Sequence, residues 1–213
     1  MTTPRRPDFL RSFLRSFAVQ GSWNHSTFLA GGLVYAMLPL LARIHRGDPV
    51  EKRRAVHRHL GSFNAHPCLA PLAVGALARL EAEGRDEAVI RRFRDALTGA
   101  LGAVGDRLIW SGWRPLCLLA AVTAYSLGAG PWTAVLLFLV PYNVGQVLLR
   151  AWAFRRGWED GLEASAVLSG PLPGRAARLL ASASALMAGA AAAAMAYMFG
   201  AGGGHGALAG LAA

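Results

Sequence analysis

Acidic side chains are scarce in this sequence, and two long stretches carry no charge at all. Of 213 residues, 12 are Asp or Glu and 22 are Lys or Arg, and all four together make up 16%. A soluble domain usually carries about 25%. From Pro115 to Leu149, and again from Leu179 to Ala213, there is no Asp, Glu, Lys or Arg. A bilayer crossing takes roughly 20 mostly apolar residues, so each run has room for at least one span. Cysteine is nearly absent too. Cys68 and Cys117 both lie in apolar stretches, which points to buried thiols more than to a disulfide framework. No HExxH, CxxC or GxxxxGK[ST] pattern occurs, so the usual zinc and phosphate-loop signatures are missing. There is no internal repeat and no strand series. No apolar signal core precedes Phe9 and no small-residue cleavage site follows, so no cleaved signal is expected.

What is present is apolar and basic. Hydrophobic residues make up 54% and the formal net charge is +10. A basic balance suggests nucleic acid only when the charges sit on a soluble scaffold. Here arginines cluster in short stretches between apolar runs, the pattern of loops held on the cytoplasmic side of a membrane. No nucleic-acid partner is expected. The reading is all-α: a polytopic helical membrane protein with broken or re-entrant helices and an N-terminal interfacial amphipathic helix.

Three segments follow from that reading. Residues 1–18 include "FLRSFLRSFA", in which Phe9, Leu10, Phe13, Leu14 and Phe17 share one helical face opposite Arg11 and Arg15. This predicts a helix lying in the headgroup plane; an ordinary surface helix is the alternative. Residues 19–200 form the membrane domain. Gln20, Trp23, Asn24 and His25 lead into an apolar helix over about 26–44, where Gly31 and Gly32 would allow close helix approach. Asp48, Pro49 and Glu51 predict a helix start, running to Phe63 with Val56, Leu60 and Phe63 buried and Arg53, Arg54, His57 and Arg58 as a basic face. Pro67 ends it and starts the next helix, to about Glu83. Apolar helices follow over about 115–127, 131–154 and 176–199, with a possible kink at Pro141. Residues 201–213 read as a flexible Gly/Ala tail. Arg175 and Arg178 place the start of the last helix inside and the C-terminus outside.

The seam "NAHP", Asn64–Pro67, draws attention because lipid-facing backbone cannot be left unpaired. Broken helices in transporters present polar groups to solutes. Asn64 and His66 offer donors and acceptors without fixed charge, which suits an uncharged, hydroxyl-rich solute. The plainer alternative is that Asn64 caps a helix and His66 is a satisfied polar residue. A metal site built from His57, His59, His66 and Cys68 is a weaker reading, because residues two apart on a helix diverge. Asp106 with Arg107 or Arg114 is either an ion pair or a functional charge at the membrane.

Three stretches, "FLRSFAVQGSWN", "RRAVHRHLGSFNAHP" and "GALGAVGDRLIWSGWRP", resemble in order and spacing the IID subunit of mannose/fructose/sorbose-type sugar phosphotransferase systems. The family patterns fall on Gln20–Asn24, Arg58–Pro67 and Ala103–Pro115, and the resemblance covers about residues 8–170. Ser62, Ala65 and Ala103 depart from the usual residues, the spacing from Gly105 to Pro115 is one residue short, and the chain ends early. The resemblance implies a non-enzymatic membrane subunit of a hetero-oligomer in the bacterial cytoplasmic membrane. It would pair with a IIC subunit and pass a mannose-, fructose- or sorbose-class sugar, which IIA and IIB proteins phosphorylate. No catalytic residue, metal or cofactor is expected, and none of the histidines should carry phosphate. Asn64 and His66 are the expected hydroxyl partners, with Gln20, Trp23 and Asn24 as a second polar cluster. Gly105, Asp106, Trp110 and Arg114 are expected to position a glycine-bearing turn. The basic stretch Arg53–Arg58 would be either a docking face for an acidic cytoplasmic partner or a solvated loop. The early end leaves room for a reduced, non-transporting scaffold or regulator of a phosphate relay. A membrane-embedded metal hydrolase is a third reading.

Overall fold

The structure, a computed structural model, describes residues 3–209, with side chains through residue 200. The described residues are helical, with two isolated β-bridges and no strand. The helices are α1 (Arg6–Arg15), α2 (Ala30–Ile44), α3 (Pro49–His59), α4 (Ala70–Ala82), α5 (Glu87–Leu97), α6 (Ala100–Gly105), α7 (Arg114–Ser126), α8 (Pro131–Asp160), α9 (Ala164–Ser169) and α10 (Pro171–Ala209). A π-helical stretch, Asp106–Trp113, joins α6 to α7. The chain divides into two compact units, one formed by residues up to Asp106 with Gln146–Pro173, the other by Arg107–Gly145 with the residues from Gly174 onward.

In the first unit α4 is the central element. Of its residues, only Arg79 and Ala82 escape full burial. Leu33, Met37, Leu40, Leu41 and Ile44 of α2, Ile90 and Leu97 of α5, and Leu101 of α6 complete the core. Helix α8 crosses α4 at backbone contact. A Cβ on Gly75 would lie 2.3 Å from the Phe154 carbonyl oxygen, and one on Gly157 would lie 2.1 Å from that of Leu72. Only glycine permits such an approach, the packing device common in membrane helices.

Helix α1 runs along α2 and not alone. Ser12 donates to the Ala36 carbonyl at 2.6 Å, and Phe9 meets the Trp158 ring edge-on at 4.7 Å. The expected single apolar face is therefore split. Phe9, Ser12, Phe13 and Ser16 turn toward the unit, while Leu10 and Leu14 are each 58% exposed. The glycine pair at the start of α2 also has a different role from the one expected. A Cβ on Gly32 would fall 1.8 Å from the Val19 carbonyl oxygen, so the pair accommodates the preceding loop and not another helix. Helix α2 starts at Ala30, later than expected, because residues 24–28 close on themselves and Phe28 adopts φ 53°.

Asp48 caps α3 as expected, accepting from the Val50 and Glu51 N–H groups at 3.1 and 2.8 Å. The helix stops at His59, not Phe63. Leu60 is 43% exposed, contrary to the predicted stripe, and Phe63 is fully buried as part of a β-bridge. Arg58 also leaves the predicted basic face and is buried, as is His59 beside it. Both are buried on Glu81, whose Oε1 lies 3.0 Å from Arg58 Nε and 2.8 Å from His59 Nε2, while Oε2 lies 3.2 Å from His45 Nε2. Arg94 donates to the Arg58 carbonyl at 2.7 Å. One carboxylate thus ties together the C-terminal ends of α2, α3 and α4, and Arg94 brings in α5. Burial alone would push Glu81 up, but His59, Arg58 and His45 outweigh it and hold the carboxyl below its usual range. Burial lowers His59, partly offset by its bond to Glu81.

The second unit contains α7, the first half of α8 and most of α10. A Cβ on Gly112 would lie 2.9 Å from Leu180 Cβ, and Ser184 donates to the Gly112 carbonyl at 3.1 Å. The predicted tight turn at the third motif is instead helix without interruption, widened to π geometry from Asp106 onward. Helix α8 continues through Pro141. Two segments, Pro131–Ser169 and Pro171–Gly200, are long and apolar enough to cross a membrane. Their large side chains point outward: Trp132 is 79% exposed and Leu186 78%. Helix α10 extends to Ala209, so the expected flexible tail begins within it; its side chains from 201 and all of 210–213 lie outside the described residues.

The Glu81 cluster lies outside both long apolar segments and generates a prediction. Glu81→Ala leaves a buried Arg58 without its main partner, a change that costs about 3–5 kcal/mol. Thermal unfolding in detergent at neutral pH should show the variant melting well below the wild type. Because the Glu81 pKa is lowered in the fold, its contribution is present at neutral pH and lost as pH falls through that pKa. The difference in Tm should therefore shrink on acidification.

Candidate functional site

The helix expected to break at the second motif does break. Between the end of α3 and the start of α4, residues 60–69 are irregular, and their backbone groups find partners in the loop before α2 and at Gly99. Leu29 donates to the Phe63 carbonyl at 2.8 Å and Phe63 to the Thr27 carbonyl at 3.2 Å. Gly99 donates to the Asn64 carbonyl at 3.3 Å from a conformation with φ 83°, which favours glycine. The carbonyl of His66 accepts from Leu69 and Ala70, both at 2.9 Å, and starts α4. Its Nδ1 accepts from the Cys68 N–H at 3.2 Å, which places the proton of a neutral ring on Nε2.

The first loop is fixed by Asn24. Its Oδ1 accepts from Ser26 and Thr27 at 2.9 Å each, and its Nδ2 donates to Thr27 Oγ1 at 2.8 Å and to the Ser22 carbonyl at 3.3 Å. This is an Asx-type turn, and it uses the amide for the loop's own closure. Gln20 is exposed, and its carbonyl accepts from Trp23 at 3.1 Å. Trp23 is half-exposed and stands edge-on to the His25 ring at 4.7 Å. The polar cluster expected here is therefore a loop-forming set with an exposed rim of Gln20 and Trp23.

The second and third motifs meet at His66 and Gly105. A Cβ on Gly105 would fall 2.2 Å from His66 Cβ and 2.4 Å from Cγ, so the imidazole rests on bare backbone. Asp106 and Arg150 are the charges facing that ring. His66 is 3% exposed, whereas Asn64 is exposed. The two expected hydroxyl partners are neighbours in sequence but do not share a surface. Asp106, Trp110 and Arg114 are exposed on the π stretch and the start of α7.

Helix α8 supplies two polar groups that the sequence reading passed over. Gln146 Oε1 lies 3.2 Å from Cys68 Sγ, which donates to it. Arg150, one turn later, is 7% exposed; it donates to the Ser16 carbonyl at 3.2 Å and sits 4.8 Å from the Phe17 ring centre. The signal was visible. Gln146 and Arg150 share a helical face at a spacing of four, and Arg150 is the first charge after the uncharged run from Pro115. An ionisable residue in an apolar helix is a functional candidate by default.

The histidines considered as metal ligands separate. His57 faces an open groove, His59 is bound to Glu81 and His66 rests on Gly105. Among the described residues no three His, Cys, Asp or Glu side chains converge as a metal site would need.

Several known proteins are similar to this chain. The mannose-specific IID component of Escherichia coli strain K12 is 31% identical over 156 residues, covering 71% of this chain and 54% of that protein. The fructose permease IID component of Bacillus subtilis strain 168 is 30% identical over 170 residues, covering 78% of this chain and 61% of that protein. This chain thus spans little more than half the length of the curated relatives it matches. Among solved structures, one of the mannose transporter ManYZ with microcin E492 aligns with a TM-score of 0.70 at 25% identity, covering 89% of this chain and 70% of that one. Another solved membrane protein aligns with a TM-score of 0.77 at 28% identity, covering 87% and 69%. The family model described as the PTS system mannose/fructose/sorbose family IID component matches residues 5–198, and the chain belongs to that family.

Proposed function

We propose that this chain is the membrane subunit that, together with a IIC partner, carries a mannose-, fructose- or sorbose-class sugar across the bacterial cytoplasmic membrane, with IIA and IIB proteins phosphorylating the sugar. The observation that carries the reading is that the interrupted second motif, Arg58–Pro67, pairs its backbone with Thr27 and Leu29 of the loop before α2 and with Gly99, beside an apolar helix. A sequence conserves no energy by interrupting a helix next to a bilayer, since every freed backbone group must be paired again. An interruption that recruits two further loops to satisfy itself fits a polar path or a partner contact better than simple packing. The names of similar proteins, a mannose-specific IID component, a fructose permease IID component and a mannose transporter, support the same class.

Within this reading the site residues take different parts. Asn64, exposed at the seam, is the group that exchanges hydrogen bonds with sugar hydroxyls. Gln20 and Trp23 form a second exposed rim, where an aromatic face and an amide suit a sugar ring. Asn24 holds that rim in shape. His66 and Gly105 act as a lock between the seam and α6, and Asp106, Trp110 and Arg114 lie on the helix that continues from it. The basic end of the first unit faces the cytoplasm by the positive-inside rule, and α10 leads from Arg175 and Arg178 toward the outside.

Two outcomes test the division of roles. Asn64→Ala in a complex reconstituted with its IIC subunit should lower sugar uptake about tenfold, the effect of one lost polar contact to a solute, while the two subunits still co-purify. Uptake equal to wild type would remove Asn64 from the path. Gly105→Ala forces a methyl into the His66 ring and should cost about 1–3 kcal/mol by overpacking. Its Tm in detergent should drop, and His66→Gly in the same chain, which removes the Cβ that the methyl meets at 2.2 Å, should restore part of the loss.

A further inference from the structure

The faces of α3 and α5 enclose an open groove of about 440 Å³ lined by Arg53, Arg54, His57, Glu87 and Arg91. Three guanidinium groups and an imidazole face one carboxylate there. Two of these guanidinium groups, and Arg58 beside them, are paired. Arg54 Nη1 lies 3.8 Å from Glu51, Arg91 pairs with Glu87, and Arg58 Nη1 lies 3.5 Å from Glu87. Beneath the groove Arg58 and Arg94 are buried, fixed by Glu81, Glu51, Asp95 and the Arg58 carbonyl. The same network that joins α3, α4 and α5 therefore sets the width of the groove, and the cations on its rim remain exposed, Arg54 by 71% and Arg91 by 52%.

The lining decides the kind of partner. No apolar side chain contributes to it, so the groove has nothing to insert into a bilayer; the outward Leu10 and Leu14 of α1 show what such an anchor looks like in this chain. Guanidinium groups converging on a concavity match carboxylate and phosphoryl oxygens in bidentate geometry. Like charges placed side by side on a rigid floor favour an acidic protein surface and steer its approach.

We propose that the groove between α3 and α5 is the docking seat of an acidic, phosphoryl-bearing cytoplasmic protein, the phosphorylated IIB carrier of the transport reading on which this proposal rests. The groove holds the carrier by its surface carboxylates and its phosphoryl oxygens. It takes no part in the transfer of the phosphoryl group.

The test uses the complex of this chain with its IIC subunit in nanodiscs, with a phosphorylated mannose-family IIB protein as the probe. The dissociation constant should rise about tenfold or more in R53E/R54E/R91E at low salt, and the difference should fade as salt is raised. The R53K/R54K/R91K variant, which keeps charge and loses the bidentate fork, should fall between the two. R92E, on the exposed side of α5 outside the groove, should bind like wild type, which controls for net charge. Equal affinity in wild type and R53E/R54E/R91E overturns the proposal. So does an effect of those substitutions that follows the phosphatidylglycerol content of the nanodisc and not the IIB protein, or one reproduced by inorganic phosphate alone. A wild-type complex that binds IIB through the groove yet phosphorylates and imports no sugar leaves the docking seat standing and removes the transport reading.

Discussion

The first unit is organised by the requirement that an interrupted helix leave no backbone group unpaired. Between His59 and Ala70 the chain gives up the regular ladder of helical bonds. In a low-dielectric setting each unpaired amide or carbonyl costs several kcal/mol. The bonds are recovered from three sources: the loop before α2 supplies partners for Phe63, Gly99 for Asn64, and the imidazole of His66 for Cys68. Each source has its own local demand. The loop must be pinned by Asn24, Gly99 must reach positive φ, and Gly105 must lack a Cβ so that His66 can lie flat against it. Segments far apart in sequence thus meet in one bonding arrangement.

That view also accounts for how much could be read beforehand. The all-α class, the uncharged runs, the Asp48–Pro49 helix start and the break before Pro67 were legible, since each depends on local composition or on a single residue's backbone chemistry. Helix ends were harder. Nothing in "HRHLGSFNAHP" says that Phe63 leaves the helix to bridge with Phe28, because that contact is made by residues thirty-five positions apart in sequence. The split face of α1 was hidden for a related reason. Phe and Leu look alike to a periodicity argument, and which of them turns inward depends on the α8 rings that Phe9 meets. Burial of Arg58 and His59 was invisible because their partner, Glu81, lies on another helix and reads in sequence as part of a charged, solvated stretch.

The candidate site was legible as a set of segments and not as a set of roles. Asn64 and His66, adjacent but for one alanine, were grouped by type; an irregular backbone sends them to different environments. Asn24 shows the converse. An amide beside a tryptophan suggests a ligand site, yet four bonds to its own loop leave it a structural part. Polar residues at a break serve the backbone first, and only those left exposed after that service are available to a solute.

Arg150 carries the argument one step further. It is a buried cation on an apolar helix, and among the described residues no carboxylate lies within ion-pair distance of it. A bare charge there would be prohibitive. What compensates is a set of dipoles and one ring: the Ser16 carbonyl at the end of α1 and the Phe17 face. Both belong to the segment that enters the first motif loop, while Gln146, one turn away on the same helix face, meets Cys68 at the seam. Helix α8 therefore reads the position of two loops through two side chains spaced four apart. A shift of the seam relative to α1 would have to break one of these contacts, and breaking the Arg150 contact would strand a charge in an apolar interior. Arg150 and Gln146 thus tie α8 to both loops of the irregular segment, adding to the backbone bonds that the loops make with each other.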